Sequence, residues 1–480
     1  MDLTPFDLAF ARLLELRLTV IVRSRSEPDA CRAAVRELVA EYPLLGMRFN
    51  ILTVAHTQIC AEQRTKLLRT EELCIEDIWH EKEVNKCLRE ILPTVNLRPE
   101  ESPSTARLHE TEELQGLLQQ HKGAFRQHVL SIHAVFLQDA CVLRFTVQHP
   151  LCDATGVYHI VKAYLSILGG TAPPPEQRKS PLREPLTLKP DLINPASTTT
   201  TTTTNEPEQD QIIKQYTQHN RASWALLGAV CLRQQFWARC RPSSRRVRRT
   251  LFIPQDHIDH WMSQAQRQTV KVTEHDLLMA FIYQAAFPPN SPNANFSFIM
   301  NLEQYLVEPR TPLTNPWCLV AVVPLNYSAA ASAPTPSLID IAAHIRQTIR
   351  AVREPACLAQ LLARQTRMGT TPVIPRAYGS RSPHVVVTAW TSLPVYELEV
   401  QGRKPAAVQG GIGLCQMLTA CGVVMDDVLV TWKGRTGGYW TQGRLSEAIW
   451  MRMGNVLERP APGFAAAAAS RTSVARDVKL

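Results

Sequence analysis

Metal-type cysteine spacing is missing from this sequence. No two cysteines stand as Cys-x-x-Cys, and no Cys/His cluster has zinc-site spacing. That excludes a zinc ribbon or finger. The 12 cysteines are scattered, and Cys87, Cys141 and Cys231 have mostly apolar neighbours. They read as reduced, packed thiols in a reducing compartment. No apolar run reaches the ~18 residues of a spanning helix, so no membrane span is expected. The first 20 residues carry Asp2, Pro5 and Asp7 in place of a signal peptide's basic start and cleavage site. The ending Val478-Lys479-Leu480 falls short of the Ser-Lys-Leu peroxisomal address. A cytoplasmic location is expected. Also absent are a Walker A loop, a Gly-x-Gly-x-x-Gly placed after a strand and a Gly-x-Ser-x-Gly elbow. These absences leave P-loop, dinucleotide-binding and serine-hydrolase readings without support.

Glycine is scarce, 20 in 480, against 34 prolines. With 45% hydrophobic and 20% charged residues, this excludes a collagen, a coiled coil and a disordered chain. It suits a loop-rich mixed α/β protein. The length gives about three domains as a soft prior, with two large ones equally plausible. The charge balance is +9, which favours polyanionic partners without choosing among them. The basic run Arg245-Arg246-Val247-Arg248-Arg249 reads as a nuclear signal, a phosphate contact or a solvated strand edge. The edge is preferred. No aromatic residues interleave the run, so nucleic acid is not an expected partner.

One stretch stands apart. From Thr171 to Gln211, Pro, Thr and charged residues dominate, with seven consecutive Thr at 198–204. It buries too little apolar surface to offset its ordering entropy. The expected organisation is an N-terminal lobe (1–170), a Pro/Thr-rich crossover linker (171–215), a C-terminal lobe (216–458) and a loose tail (459–480). The periodicities predict a strand at Leu18–Val22. A helix follows from Pro28 or Asp29, with Cys31, Ala34, Val35, Leu38 and Val39 on one face. Another is predicted through Val84, Cys87, Leu88, Ile91 and Leu92, stopping at Pro93. Leu130–Leu137 and Cys141–Gln148 read as a hairpin. In the second half, Thr273 with Asp276 and Ser337 begin helices. Strands are predicted at Asn295–Leu302 and His384–Trp390. A hairpin runs over Val428–Trp432 and Tyr439–Gln442, and a last helix starts near Ser446. The fold class is α/β (mixed α+β).

The chemistry concentrates in Cys141–Leu168. Leu143, Phe145, Val147 and His149 alternate with Arg144, Thr146 and Gln148, which places His149 on the inward face at a strand end. Pro150 breaks the ladder, and a helix begins at Asp153 or Thr155. A scaffold holds a general base rigidly at such a junction. A buried His there is also often a hydrogen-bonded core residue, and chance supplies on the order of one His-x-x-x-Asp per chain of this kind. The residues alone leave both readings open.

His149-Pro150-Leu151-Cys152-Asp153-Ala154-Thr155-Gly156 resembles the HxxxDG motif of the BAHD-type acyl-CoA-dependent acyltransferases, in particular their fungal branch similar to trichothecene O-acetyltransferases. Ala154 stands where the motif has Gly. Leu3–Leu8, Ala33–Phe49, Val272–Ala285 and Val385–Pro405 are similar to further family segments. The DFGWGKP motif survives only as Glu399, Lys404 and Pro405, and the family's acid-x-Arg is replaced at Asn301-Leu302-Glu303. The resemblance implies two chloramphenicol-acetyltransferase-like lobes with a channel between them. It implies no bound cofactor, acyl-CoA (acetyl-CoA foremost) as co-substrate, a small-molecule acceptor and a monomer. His149 is implied as general base. Asp153, with Gly156, holds the motif loop, has a different partner or caps its helix. Thr388 and Trp390 match a Thr-x-Trp pair that donates to the oxyanion; core packing is the other reading of Trp390. CoA-contacting residues are not identified. Two other functions are weighed. One is an inactive binding or scaffold protein of the same fold. The other is a condensation-domain-like enzyme using carrier-bound acyl groups, disfavoured because Gln148 stands where such enzymes have a second His.

Overall fold

The computed structural model describes residues 14–23, 26–50, 75–91, 117–118, 126–149, 151–172, 189, 216–217, 246–287, 295–305, 317–322, 336–368, 374–375, 384–399, 404–414, 426–435 and 437–458. The expected tail, nearly all of the Pro/Thr-rich linker and the Leu3–Leu8 segment lie outside them.

The first half contains β1 (Leu14–Val22), α1 (Pro28–Glu41), β2 (Arg48–Asn50), β3 (Trp79–Glu83), the one-turn α2 (Leu88–Ile91), β4 (Arg126–His128), β5 (Leu130–Phe136), β6 (Cys141–Gln148) and α3 (Ala154–Leu168). The second half opens with β7 (Tyr216–Thr217), β8 (Arg246–Ile253), α4 (Gln255–Arg267), α5 (Glu274–Ala286), β9 (Asn295–Asn301), β10 (Trp317–Val322), α6 (Leu338–Arg353) and α7 (Pro355–Met368). It closes with β11 (Ile374–Pro375), β12 (His384–Ala389), β13 (Ala407–Leu414), β14 (Val428–Lys433), β15 (Tyr439–Ser446) and α8 (Glu447–Glu458).

Two large sheets result. The first has the order β13-β1-β6-β5-β3 and the second β10-β9-β12-β14-β15-β8. The first is antiparallel except where β3 runs parallel to β5. In the second, β12 runs parallel to both β9 and β14. The fold is mixed α+β, as the pattern of elements predicts.

The helices form where the sequence places apolar stripes. On α1, Cys31, Ala34, Val35, Leu38 and Val39 are buried, and Pro28 sits in the first turn, where its missing N–H costs nothing. Both α5 and α6 begin with a capping box: Thr273 with Asp276, and Ser337 with Asp340. On α5 the burial runs all round the helix, from Leu277 through Ala286, because other helices surround it. Buried Asp276 also takes the guanidinium of Arg346 from α6, which joins the two helices through a charge-assisted bond.

Three local expectations change. The helix predicted from Val84 begins only at Leu88, preceded by the strand β3. Asp139 accepts from the Leu88 amide and Glu90 from the Cys87 amide, and these two carboxylates set the helix start. Strand β1 starts four residues earlier than Leu18, at Leu14. Strand β6 is buried along its whole length, so Arg144, Thr146 and Gln148 do not face solvent. The basic run becomes β8, an edge strand of the second sheet, as its charge pattern predicts.

The sheets do not divide where the sequence does. Strand β13 comes from beyond residue 400 yet pairs with β1, from Leu14↔Leu414 to Ile21↔Ala407. One apolar core joins Leu16, Leu18, Phe145 and Val147 of the first sheet to Trp390, Val430, Trp432 and Trp440 of the second half.

Candidate functional site

His149 lies one residue past β6, in a turn bonded on three sides. Its amide donates to the Leu14 carbonyl at 3.0 Å. The Gln148 amide donates to Val129 at 2.9 Å, and the Leu151 amide to Gln148 at 2.9 Å. The imidazole is buried in the residue sense, at 7% exposure. Leu151 and Cys152, which follow, are core residues. The strand-turn-helix junction expected from the sequence is therefore present and anchored.

Asp153 is the N-cap of α3. Its backbone is extended, and its Oδ1 accepts the amide of Gly156 at 3.1 Å. Of the openings left by the sequence, helix capping is the one the geometry displays. Such a cap is worth about 1 kcal/mol. It fixes where α3 starts and hence where the His149 turn ends. Gly156 supplies the capped amide and is itself buried.

The second half contributes Thr388 and Trp390. Thr388 pairs with Val430, Val430 with Gln442, and Gln442 with Thr250, so these four form one row across the sheet. Trp390 follows at the strand end, its amide donating to Thr431 at 2.7 Å. The indole rests against the backbone of Gly410 in β13. A Cβ there would lie 2.7 Å from Trp390 Cε3. Core packing, one of the two readings open from the sequence, holds for the ring.

The polar end of that side chain behaves differently. Among the described residues no hydrogen-bond partner occurs for the Trp390 indole N–H or the Thr388 hydroxyl. Trp432 and Trp450, equally buried, donate to the carbonyls of Val408 and Val247, each at 3.1 Å. A buried indole N–H usually finds such a partner. These two donors at one strand end are not among the atoms closed to solvent.

The two sheets meet along β13, a seam that the sequence reading lacked. The Trp432 indole covers the Val408 carbonyl. Gln409 donates to Gln442 at 2.9 Å, both side chains being buried. Since Gln442 shares Thr388's row, the Thr388 face of the second sheet is turned toward β13, which β1 separates from His149's strand β6. The signal was present in the glycines of Gln409-Gly410-Gly411-Ile412-Gly413. Glycine inside a strand marks a close backbone approach. Of the decayed motif, Glu399, Lys404 and Pro405 fall within the described residues and the intervening 400–403 do not.

Compared by sequence, the chain matches no protein-family model and no curated protein. Compared by structure, it is similar to TRI101 of F. sporotrichioides complexed with coenzyme A and T-2. The TM-score is 0.61 at 14% identity, over 94% of this chain and 96% of that one. The chain shares the two-sheet, mixed α+β fold of that structure. Vinorine synthase shares it at TM-score 0.55 and 11% identity, over 94% and 91% of the two chains. So does polyketide synthase associated protein 5 from Mycobacterium tuberculosis, at 0.55 and 13%, over 95% and 98%. At these identities the likeness concerns architecture. No helix among the described residues is long and apolar enough to cross a membrane.

Proposed function

We propose that this BAHD-like protein is an acyltransferase moving an acyl group, acetyl foremost, from acyl-CoA to a hydroxyl or amine of a small specialised metabolite. The carrying observation is the pair of unmatched donors, Thr388 and Trp390, on the strand end that faces the His149 lobe. Structural neighbours crystallised with coenzyme A support the choice of donor.

In this reading the imidazole of His149 takes the proton of the acceptor O–H or N–H as that atom attacks the thioester carbonyl carbon. A neutral imidazole accepts a proton near neutral pH, which suits this task. The carbonyl oxygen gains negative charge, and Thr388 and Trp390 donate to it. The carbon–sulfur bond then breaks, the proton passes from His149 to the leaving thiolate, and free CoA thiol and an ester or amide are formed. Asp153 takes no proton; it holds the loop through its cap.

The test is thiol release from acetyl-CoA, measured with and without His149. The wild-type chain releases CoA thiol slowly to water and faster with an acceptor, and His149→Ala lowers both rates about 10²–10⁴-fold. Equal release by the variant, with its melting temperature unchanged, refutes the mechanism. Profiling metabolites of a strain lacking the gene then identifies the unacylated acceptor.

A further inference from the structure

Trp390 is held by its backbone on both sides and by one strand of the other sheet. Its amide donates to Thr431 at 2.7 Å, and its carbonyl accepts the Leu393 amide at 3.1 Å. The residue is 2% exposed, so close packing leaves its ring no free space to swing into. The contact that limits the ring lies on β13. A Cβ at Gly410 would stand 2.7 Å from Trp390 Cε3, 2.9 Å from Cζ3 and 3.5 Å from Cδ2. All three atoms belong to the six-membered ring of the indole, and Cε3 and Cζ3 form its side away from the N–H. The bare backbone of Gly410 is what that side of the indole rests on.

Strand β13 is the less yielding partner. It pairs with β1 along its whole length, with Gly410 opposite Leu18. Just before Gly410, the Val408 carbonyl takes the Trp432 indole at 3.1 Å and Gln409 donates to Gln442 at 2.9 Å. Ordinary contact starts near 3.4 Å, so a methyl group at position 410 displaces the indole by about 0.7 Å. The next residue behaves differently. A Cβ at Gly411 would meet nothing nearer than Arg17 Cβ, at 3.9 Å. Neither glycine has a left-handed backbone, so an alanine at either position tests side-chain space alone.

We infer that Gly410 is a positioning residue for acyl transfer: by carrying no side chain under the indole, it sets where the Trp390 N–H stands when the thioester oxygen gains charge. This rests on the acyl-transfer reading above and deepens it. The residue comes from β13, a strand of the first sheet, whereas Trp390 follows β12 of the second. The first sheet therefore sets the place of a donor that the second sheet carries. An oxyanion donor works through preset geometry, and a misplacement of about 1 Å costs on the order of 10²-fold in rate.

The experiment measures CoA-thiol release over a range of acetyl-CoA concentrations, well below each variant's melting temperature. Gly410→Ala is expected to lower kcat about 10- to 10²-fold with KM for acetyl-CoA little changed, whereas Gly411→Ala keeps the wild-type kcat. A purely structural role predicts that Gly410→Ala loses melting temperature and keeps kcat, and that result overturns the inference. A second variant adds Trp390→Phe, which deletes the N–H and trims the ring. With no indole left to misplace, Gly410→Ala/Trp390→Phe is expected to match Trp390→Phe alone in kcat. A kcat well below that of Trp390→Phe overturns the inference, also where Gly410→Ala alone does not fold. The two readings fail separately. Equal thiol release by the wild type and His149→Ala refutes acyl transfer and this inference with it. His149-dependent release that Gly410→Ala leaves intact refutes only the role of Gly410.

Discussion

Trp390 is two residues in one: a ring that packs and an N–H without a partner among the described residues. The ring fills the space over Gly410, so removing it leaves a cavity, and Trp390→Ala confounds packing with chemistry. Trp390→Phe keeps most of the ring and deletes the donor. Thr388→Val keeps the shape and deletes the hydroxyl. Each is expected to lower kcat about 10²–10³-fold, the usual cost of one oxyanion donor, with KM little changed. A change confined to KM contradicts a role in the transition state. His384, at the start of the same strand, gives a pH signature. Burial pushes its imidazole down to about 4, from about 6.5 in the unfolded chain. Between those values the unfolded state binds more protons, so stability is full above pH ~6.5 and falls as the pH drops toward ~4, by at most about 3 kcal/mol. Urea midpoints measured from pH 7 to 4 check this. His384→Leu is expected to flatten that part of the profile.

At the level of elements, the strand-turn-helix around His149 is the unit that sequence describes well. Leu143, Phe145 and Val147 are placed by period 2, and Val157, Ile160, Val161, Tyr164 and Leu165 by helical spacing, all buried. Asp153 at the boundary was recognisable as a cap candidate, and its bond to Gly156 gives it that place. Asp153→Ala is therefore expected to cost about 1 kcal/mol, with Asp153→Asn recovering most of it. Denaturant titration of the two variants checks the order. A uniform collapse of activity in Asp153→Asn with stability retained points instead to an electrostatic role. Strand β3 was not legible. Its sequence Trp79-His80-Glu81-Lys82-Glu83 is charged because it is an edge strand with only Trp79 fully inside, and the apolar spacing beyond it imitates a longer helix. The short α2 starts where Asp139, distant in sequence, provides a cap. Sequence periodicity carries no trace of that contact.

For the molecule as a whole, the mixed α+β class and the two sheets follow from alternating local patterns. How the sheets join does not. Strand β13 carries three glycines and weak alternation, so it reads as a loop; its eight register pairs with β1 exist only once distant segments meet. The same is true of the site. His149, Thr388 and Trp390 were identified through resemblance to a family, and spacing alone left His149 and Trp390 each with a bland alternative. That the Thr388 hydroxyl and the Trp390 N–H are without partners among the described residues is a property of the assembled chain and has no one-dimensional signature. The Gln409–Gln442 bond and the Trp432 bond to Val408 tie the two sheets along the seam. The measurement that bears most directly on this account is CoA-thiol release from acetyl-CoA by the wild-type chain and by His149→Ala at matched stability. The account predicts release by the wild type and a loss of about 10²–10⁴-fold in the variant. Release at the wild-type rate in His149→Ala contradicts it.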